Sequence, residues 1–365
     1  FKKLMKLKDV VTNNGQDGIQ AIPSDEMVDG YRYIKISDLG NDGEILQHKK
    51  KGIKEKNFEK YILKNNDIVF SIIGTIGKSY LYNPDDGKLV FAGTLTRFNL
   101  DESKIYPLFM KYYCLLDECK RWMLDQSTGS IKKGLHANAL LEMSIPNIDY
   151  YEQVKIGNLL DKITSKILLN NKINDNLKQQ MTEMFEYIIS SNQLKKIKLN
   201  EIAIMYQPKT IRLKQIIKNG KYKVYGTNSV LGYYNDYNHK DQELVLSSVG
   251  TCGIPKITDA FSWINGTLMV IKLKPNFQYK EYLFQHLKKI NASYLQTGTI
   301  QKQLVRRNLN AYNVYVPDLK KLNIFEEFAT KNRKLITRND NENEKLIKLR
   351  DLLLPLLMSG QATID

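Results

Sequence analysis

The chain has 365 residues, enough for two or three domains, and its 42% hydrophobic and 26% charged composition suits a globular protein with ample core material. Lys and Arg outnumber Asp and Glu by 55 to 39, and the resulting net charge of +16 favours a polyanionic partner, because each phosphate neutralised releases a counterion. No apolar run approaches the length of a bilayer span and FKKLMKLKDVV (1–11) lacks the apolar core of a signal peptide, so no membrane partner is expected. Cys114, Cys119 and Cys252 form neither a CxxC pair nor an even-numbered framework, as expected of reduced thiols in a cytoplasmic protein.

In chain order, KLKDVV (6–11) precedes β-like runs separated by Gly, Asn and Asp turn signals: YRYIKI (31–36), DIVFSIIGTIGK (67–78) and KLVFAG (88–93). A helical stretch follows, IYPLFMKYYCLLDECKRWML (105–124), then QSTGSIKKGL (126–135) and a strand-like MSIPNID (143–149). The same phrases then return in the same order. KLNEIA (198–203) echoes the opening, ELVLSSVGTCGI (243–254) repeats 67–78, and NGTL (265–268) repeats AGTL (92–95). LQTGTIQKQL (295–304) repeats 126–135, and VYVPDL (314–319) repeats 143–149. Ordered matches at a period far beyond any solenoid repeat identify a duplicated α+β domain, each copy followed by a long helix.

In the first helix Ile156, Leu160, Ile163, Ile167, Asn170, Asn174, Leu177, Met181, Met184 and Ile188 step alternately by four and three. In the second, Phe325, Phe328, Asn332, Leu335, Asn339, Glu342, Leu346, Leu349, Leu353 and Leu356 do so in the opposite phase. The pattern predicts two helices paired along a coiled-coil seam, apolar at both ends and polar in the middle. The alternative is that each helix packs only on its own domain. A helix over 151–189 is roughly 58 Å long, and Pro355 is placed to kink or close the last turn of the second. The expected division is a first α+β domain over 1–150, a helix over 151–192, a second α+β domain over 193–318 and a second helix over 319–365.

Sequences that tempt a catalytic reading fail on spacing. GTIGKS (74–79) lacks the Gly-x-x-x-x-Gly-Lys of a phosphate loop, since position 72 is Ile, and its repeat reads GTCGIP. PDDGK (84–88) crowds its acids into one turn, whereas a metal-dependent nuclease gathers carboxylates from separate strands. His48, His136, His239 and His286 show no metal-ligand spacing, and neither a methyltransferase motif nor a dinucleotide fingerprint is present. No catalytic residue, metal or cofactor is therefore assigned to this chain.

Contacts to a nucleic acid are a better use of these residue types. Arg pairs with guanine, Asn and Gln with adenine, and Lys positions phosphates. The candidates are Lys132, Lys133, His136 and Asn138 in SIKKGLHAN, and Gln301, Lys302, Gln303, Arg306, Arg307 and Asn308 in TIQKQLVRRN. Thr227, Asn228, Ser229, Tyr233 and Tyr234 in YGTNSVLGYYNDYNHK (225–240), Lys35 and Ser37 in RYIKISDL (32–39), and Lys78 complete the set. Each segment also reads as ordinary structure: a solvated helix start, an aromatic hairpin, a β-turn.

Two variable α+β domains, each followed by a long helix, resemble the specificity subunits of Type I restriction–modification systems over essentially the whole chain. The resemblance is carried by IIGTIGK (72–78) and SVGTCGI (248–254), STGSIKKGL (127–135) and QTGTIQKQL (296–304), SIPNIDYYEQVKIGNLLDKI (144–163), VYVPDLKKLNIFEEFA (314–329) and YKVYGTNSVLGYY (222–234). It implies two target-recognition domains separated by an antiparallel helix pair, each domain reading one part of a split double-stranded DNA target. It further implies two modification subunits that methylate adenine, and two restriction subunits as optional partners. S-adenosylmethionine, ATP and Mg then belong to those partners and not to this chain. Paired readers on helices would engage sites roughly 34–36 Å apart, one turn of DNA. Two other readings compete: a self-sufficient DNA-modifying enzyme, which would bind S-adenosylmethionine or metal alone, and a coiled-coil adaptor without sequence preference.

Overall fold

A computed structural model describes residues 4–47, 50–129, 134–190, 193–250, 252–290, 296–297 and 303–364. They gather into two compact units, Phe1–Leu169 with Glu342–Asp365, and Asn170–Asn341. Each unit contains one α+β domain, half of the helix Tyr150–Ser190 and half of the helix Leu319–Ser359.

The two domains share the topology of their main sheets, while, among the described residues, Pro23–Ser24 pairs with Gly52–Ile53 only in the first and Val230–Tyr234 with Tyr222–Tyr225 only in the second. In the first, an antiparallel sheet runs in the order Gln16–Asp17, Leu95–Asn99, Asp67–Ser71, Ser79–Leu81. In the second the order is Ala203–Tyr206, Leu268–Leu273, Leu244–Ser247, Pro255–Ile257. Two lesser pairings are duplicated as well. Leu4–Lys6 joins Ser144–Pro146 as Lys195–Lys198 joins Asn313–Val316. Arg32–Ile34 runs parallel to Leu89–Phe91 as Tyr222–Tyr225 does to Trp263–Ile264.

The central strands are apolar at nearly every position because both faces are covered. Ile68 and Phe70 join Phe98, Phe109 and Met123, whereas Val69 faces Tyr80, Leu89 and Phe91. Leu244 and Leu246 likewise join Tyr282, Leu283 and Leu309, and Val245 turns to Ile264, Leu268 and Val270. The period of two along the strand thus feeds two separate clusters in each domain.

Each long helix has 41 residues, about 61 Å at 1.5 Å per residue. Within the first unit Ile156 and Leu160 pack in one cluster with Leu354, Leu357 and Met358. Lys155 Nζ donates to the Ile364 carbonyl at 2.7 Å, and Lys166 pairs with Glu342 at 3.5 Å, so the two segments run antiparallel. Within the second unit Phe185 meets Phe325 with ring centroids 6.0 Å apart, again antiparallel. There Asn174 donates to Asp340 and accepts from Asn339, both at 2.8 Å.

The buried line of the first helix passes through Leu160, Ile163, Ile167, Asn170, Asn174 and Met181, with Leu177 half-buried. That of the second keeps Phe325 and Asn332 but departs from the sequence expectation at six of the other positions. It runs through Ala329, Ile336, Asn343, Arg350, Leu354 and Leu357, one residue beyond Phe328, Leu335, Glu342, Leu349, Leu353 and Leu356. Leu335 is 46% and Leu349 44% exposed, against 3% for Ile336 and 6% for Arg350; Leu346 and Leu353 are half-buried. Reading by bulk favoured Leu349 over Arg350, but Arg350 is buried because Asp42 and Asp351 hold its guanidinium at 3.1 and 2.9 Å. Pro355 does not end its helix, which continues to Ser359 and closes at Gly360 in the left-handed conformation (φ 61°).

Ile336→Ala is expected to cost about 2–4 kcal/mol through the cavity it leaves. Leu335→Ala should cost no more than about 0.5 kcal/mol, both read from urea denaturation. Equal losses would return the seam to Leu335.

Candidate nucleic-acid interface

The three most clearly repeated phrases meet at one place in each unit. In the first, the loop after Asp67–Ser71 needs two left-handed glycines, Gly74 (φ 81°) and Gly77 (φ 96°). The fully buried Ser71 closes it, its hydroxyl accepting from Lys78 N at 3.0 Å and its amide donating to Lys78 O at 2.9 Å. In the second, Gly250 (φ 69°) and Gly253 (φ 83°) turn the chain, and Ser247 takes Ile254 N on its hydroxyl at 3.0 Å. The Ser247 amide donates to Ile254 O at 3.1 Å, completing the same closure.

The residue after each serine is the junction. Ile72 N donates to Thr94 O at 3.0 Å, and Ile72 O accepts from Leu135 N at 2.8 Å. Ser248 N donates to Thr267 O at 3.1 Å, and Ser248 O accepts from Leu304 N at 2.9 Å. Backbone bonds therefore tie the glycine loop to the AGTL/NGTL turn on one side and to the TG loop on the other. At the described ends of the TG segments, Thr128 pairs with Gly134 in the first unit and Gln296–Thr297 with Gln303–Leu304 in the second.

A short helix leaves each junction at the equivalent place, Ala137–Leu141 and Arg306–Asn310. His136 and Asn138 are exposed beside the first, Arg306 and Arg307 on the second, and Gln303 just before it. Neither Arg306 nor Arg307 makes an ion pair among the described residues. Asn308 is half-buried. Lys132, Lys133, Gln301 and Lys302 lie outside the described residues.

Other expected contacts fall elsewhere. Lys78 is half-buried, and its ammonium donates one of its three N–H bonds to the Leu39 carbonyl at 2.5 Å. Lys35 is half-buried and precedes a short 3-10 turn, Ile36–Asp38, in which Ser37 is exposed. Asn228 and Ser229 are exposed in a β-turn closed by Gly226 N to Ser229 O at 3.0 Å. Thr227 is half-buried, and its carbonyl accepts from Lys256 Nζ at 2.8 Å. Burial holds the Lys256 ammonium below the usual lysine range. Tyr233 and Tyr234 are half-buried, Tyr234 standing edge-on to Trp263 at 5.4 Å.

The acids of PDDGK serve the fold: Asp86 accepts the Tyr80 hydroxyl at 2.8 Å and Asp85 N donates to Asn83. His239 and His286 are buried, His286 held by Tyr315 N at 3.0 Å, and burial pushes its imidazole down to about 4. His48 lies outside the described residues. Among the described residues no group of three His, Cys, Asp or Glu side chains could hold a metal ion. Residue-by-residue reading missed Ser71 and Ser247. Aligning the two copies would have found them, since serine stands at the same point of both loops.

Comparison with known proteins agrees with the internal duplication. The Type I restriction modification DNA specificity domain matches residues 2–179 and again 192–349. A Type I restriction enzyme EcoBI specificity subunit of Escherichia coli is 26% identical over 144 residues, 39% of this chain. That match spans 30% of the relative's length. The crystal structure of a Type I restriction–modification S subunit from M. genitalium superposes with a TM-score of 0.67 at 16% identity, over 100% of this chain and 96% of that one, a likeness of fold.

Ser71→Ala and Ser247→Ala should each destabilise by about 0.5–1.5 kcal/mol, since each removes the hydrogen bond that its hydroxyl accepts from the loop backbone. Urea denaturation measures this, and an unchanged midpoint for both would show that the serines do not hold the loops.

Proposed function

The chain belongs to the Type I restriction modification DNA specificity family, and from that membership we propose that it recognises a bipartite target in double-stranded DNA. The observation that carries this reading is the duplicated junction, which presents a short loop and a helix start from each unit. The side chains exposed there suit base edges: Asn138 and His136 in one unit, Gln303, Arg306 and Arg307 in the other. The net charge of +16 supports a phosphate-bearing partner.

On this reading the chain performs no chemistry. Two modification subunits bind it, contribute S-adenosylmethionine and methylate adenine, and two restriction subunits bring ATP and Mg where cleavage accompanies modification. We place the complex in the cytoplasm; no helix of the described residues is long and apolar enough to cross a membrane. Lys132, Lys133, Gln301 and Lys302 belong to the same TG loops by sequence and are proposed as further contacts, together with Lys35, Ser37, Thr227, Asn228, Ser229, Tyr233 and Tyr234.

The experiment is DNA binding by the chain assembled with its modification partner, on a target identified from methylation marks. Arg306→Ala with Arg307→Ala should weaken binding by about tenfold to a hundredfold. Relaxed preference confined to one half of the target marks a base contact, and uniform weakening marks a phosphate contact. Unchanged affinity and preference would remove this helix from the interface.

A further inference from the structure

The two units differ at one buried carboxylate. In the first, Asp67 opens the central strand opposite Asn99. Arg97 Nη1 donates to it at 3.3 Å and Asn99 Nδ2 at 2.9 Å, while the Arg97 guanidinium lies 5.3 Å from the centre of the Phe91 ring. The chain thus supplies its own planar cation, stacked on an aromatic ring, to satisfy the acid.

In the second unit Glu243 precedes the equivalent strand, next in register to Lys272, and Val270 occupies the position of Arg97. Glu243 is 8% exposed, and among the described residues no side-chain donor hydrogen-bonds its carboxylate. Burial raises its pKa, and Lys272 and Lys280 act on it only through their field. Its carboxylate is not sealed off but opens to the surface, where a donor from outside can reach it.

In the first unit Arg97 covers the acid, whereas in the second Glu243 lines an open cleft of about 440 Å³. Tyr206, His239, Glu243 and Trp263 line it. The two rings of one wall are fixed: His239 Nδ1 meets Asn238 Oδ1 at 2.6 Å and Nε2 meets the Tyr206 hydroxyl at 2.9 Å. Asn238 Oδ1 also accepts from Ile264 N, so the proton sits on Nδ1 and Nε2 is the acceptor. Trp263 completes the lining on the side of the indole ring. At the rim, exposed Lys209, Lys240 and Lys272 outnumber Asp241.

A ligand that answers all of this has a flat ring for the aromatic wall, an amino group for Glu243 and a phosphate for the lysines. We propose that the cleft binds a nucleotide through an amine-bearing base, the exocyclic amine donating to Glu243 and the phosphate meeting the lysines at the rim. A peptide arginine would satisfy Glu243 but would be repelled at the rim. The proposal stands apart from DNA reading by the loop junctions, and a chain that failed to read DNA could still bind here. The nucleotide has two sources, a free mononucleotide or one turned out of a DNA strand.

The test titrates the full chain by calorimetry with AMP, CMP, UMP and inorganic phosphate, and with single-stranded oligo(dA) and oligo(dT). AMP or CMP should bind about tenfold or more tightly than UMP, which lacks the amine. In Glu243→Leu the ratio should fall to about one, because nothing remains to accept the amine. A preference for mononucleotides assigns a free ligand, and a preference for oligo(dA) over oligo(dT) without mononucleotide binding assigns a nucleotide in a strand. Equal affinity for AMP, CMP and UMP together with equal affinity for the two oligonucleotides overturns the proposal, as does no binding of any nucleotide probe or phosphate-like affinity throughout. The discrimination is read on the unaltered chain, so it holds even if the Glu243 variant fails to fold.

Discussion

Backbone hydrogen bonds at Ile72 and Ser248 decide what each unit can present. At each, a single residue donates to one loop and accepts from another, joining segments that lie dozens of residues apart in the chain. A buried backbone pair of this kind cannot be given up cheaply. The side chains around it are therefore free to vary while the loops keep their places. That division of labour suits a reader of sequence, in which the frame is constant and the exposed residues are the text.

The long helices obey a different constraint. Their ends are apolar, but at the middle the buried positions include Asn170, Asn174, Asn332 and Asn343, with Ile336 among them. Asn174 bridges Asp340 and Asn339, a pairing that sliding the segments by even one turn would break. Apolar side chains would tolerate such a shift, since one leucine packs much like another. Polar seam residues exchange some stability for a single register.

Much of this was legible in the sequence, and the reasons for the rest are specific. The duplication was visible because the glycine loop, the GTL turn and the TG loop keep their residue types, and those residues hold the backbone contacts. That the three phrases touch one another was not visible: periodicity reports neighbours along an element, not hydrogen bonds from residue 72 to residues 94 and 135. The phase of the second helix slipped because its polar middle carries few apolar markers, and because Arg350 looks like a surface residue until Asp42 is placed beside it. The partner of the Lys78 ammonium was hidden for the same reason, lying 39 residues away at Leu39. The Glu243 cleft is likewise a matter of what Val270 fails to supply, which only the comparison of the two units brings out.

The central claim is that each loop junction reads its own part of the target, independently of the other. Exchanging residues 1–150 for those of a relative of different specificity, in a complex with the modification partner, tests it directly. Mapping methylated adenines should then show one part of the split motif replaced and the other retained. Simultaneous change of both parts, or a mark that persists unchanged, would contradict the account.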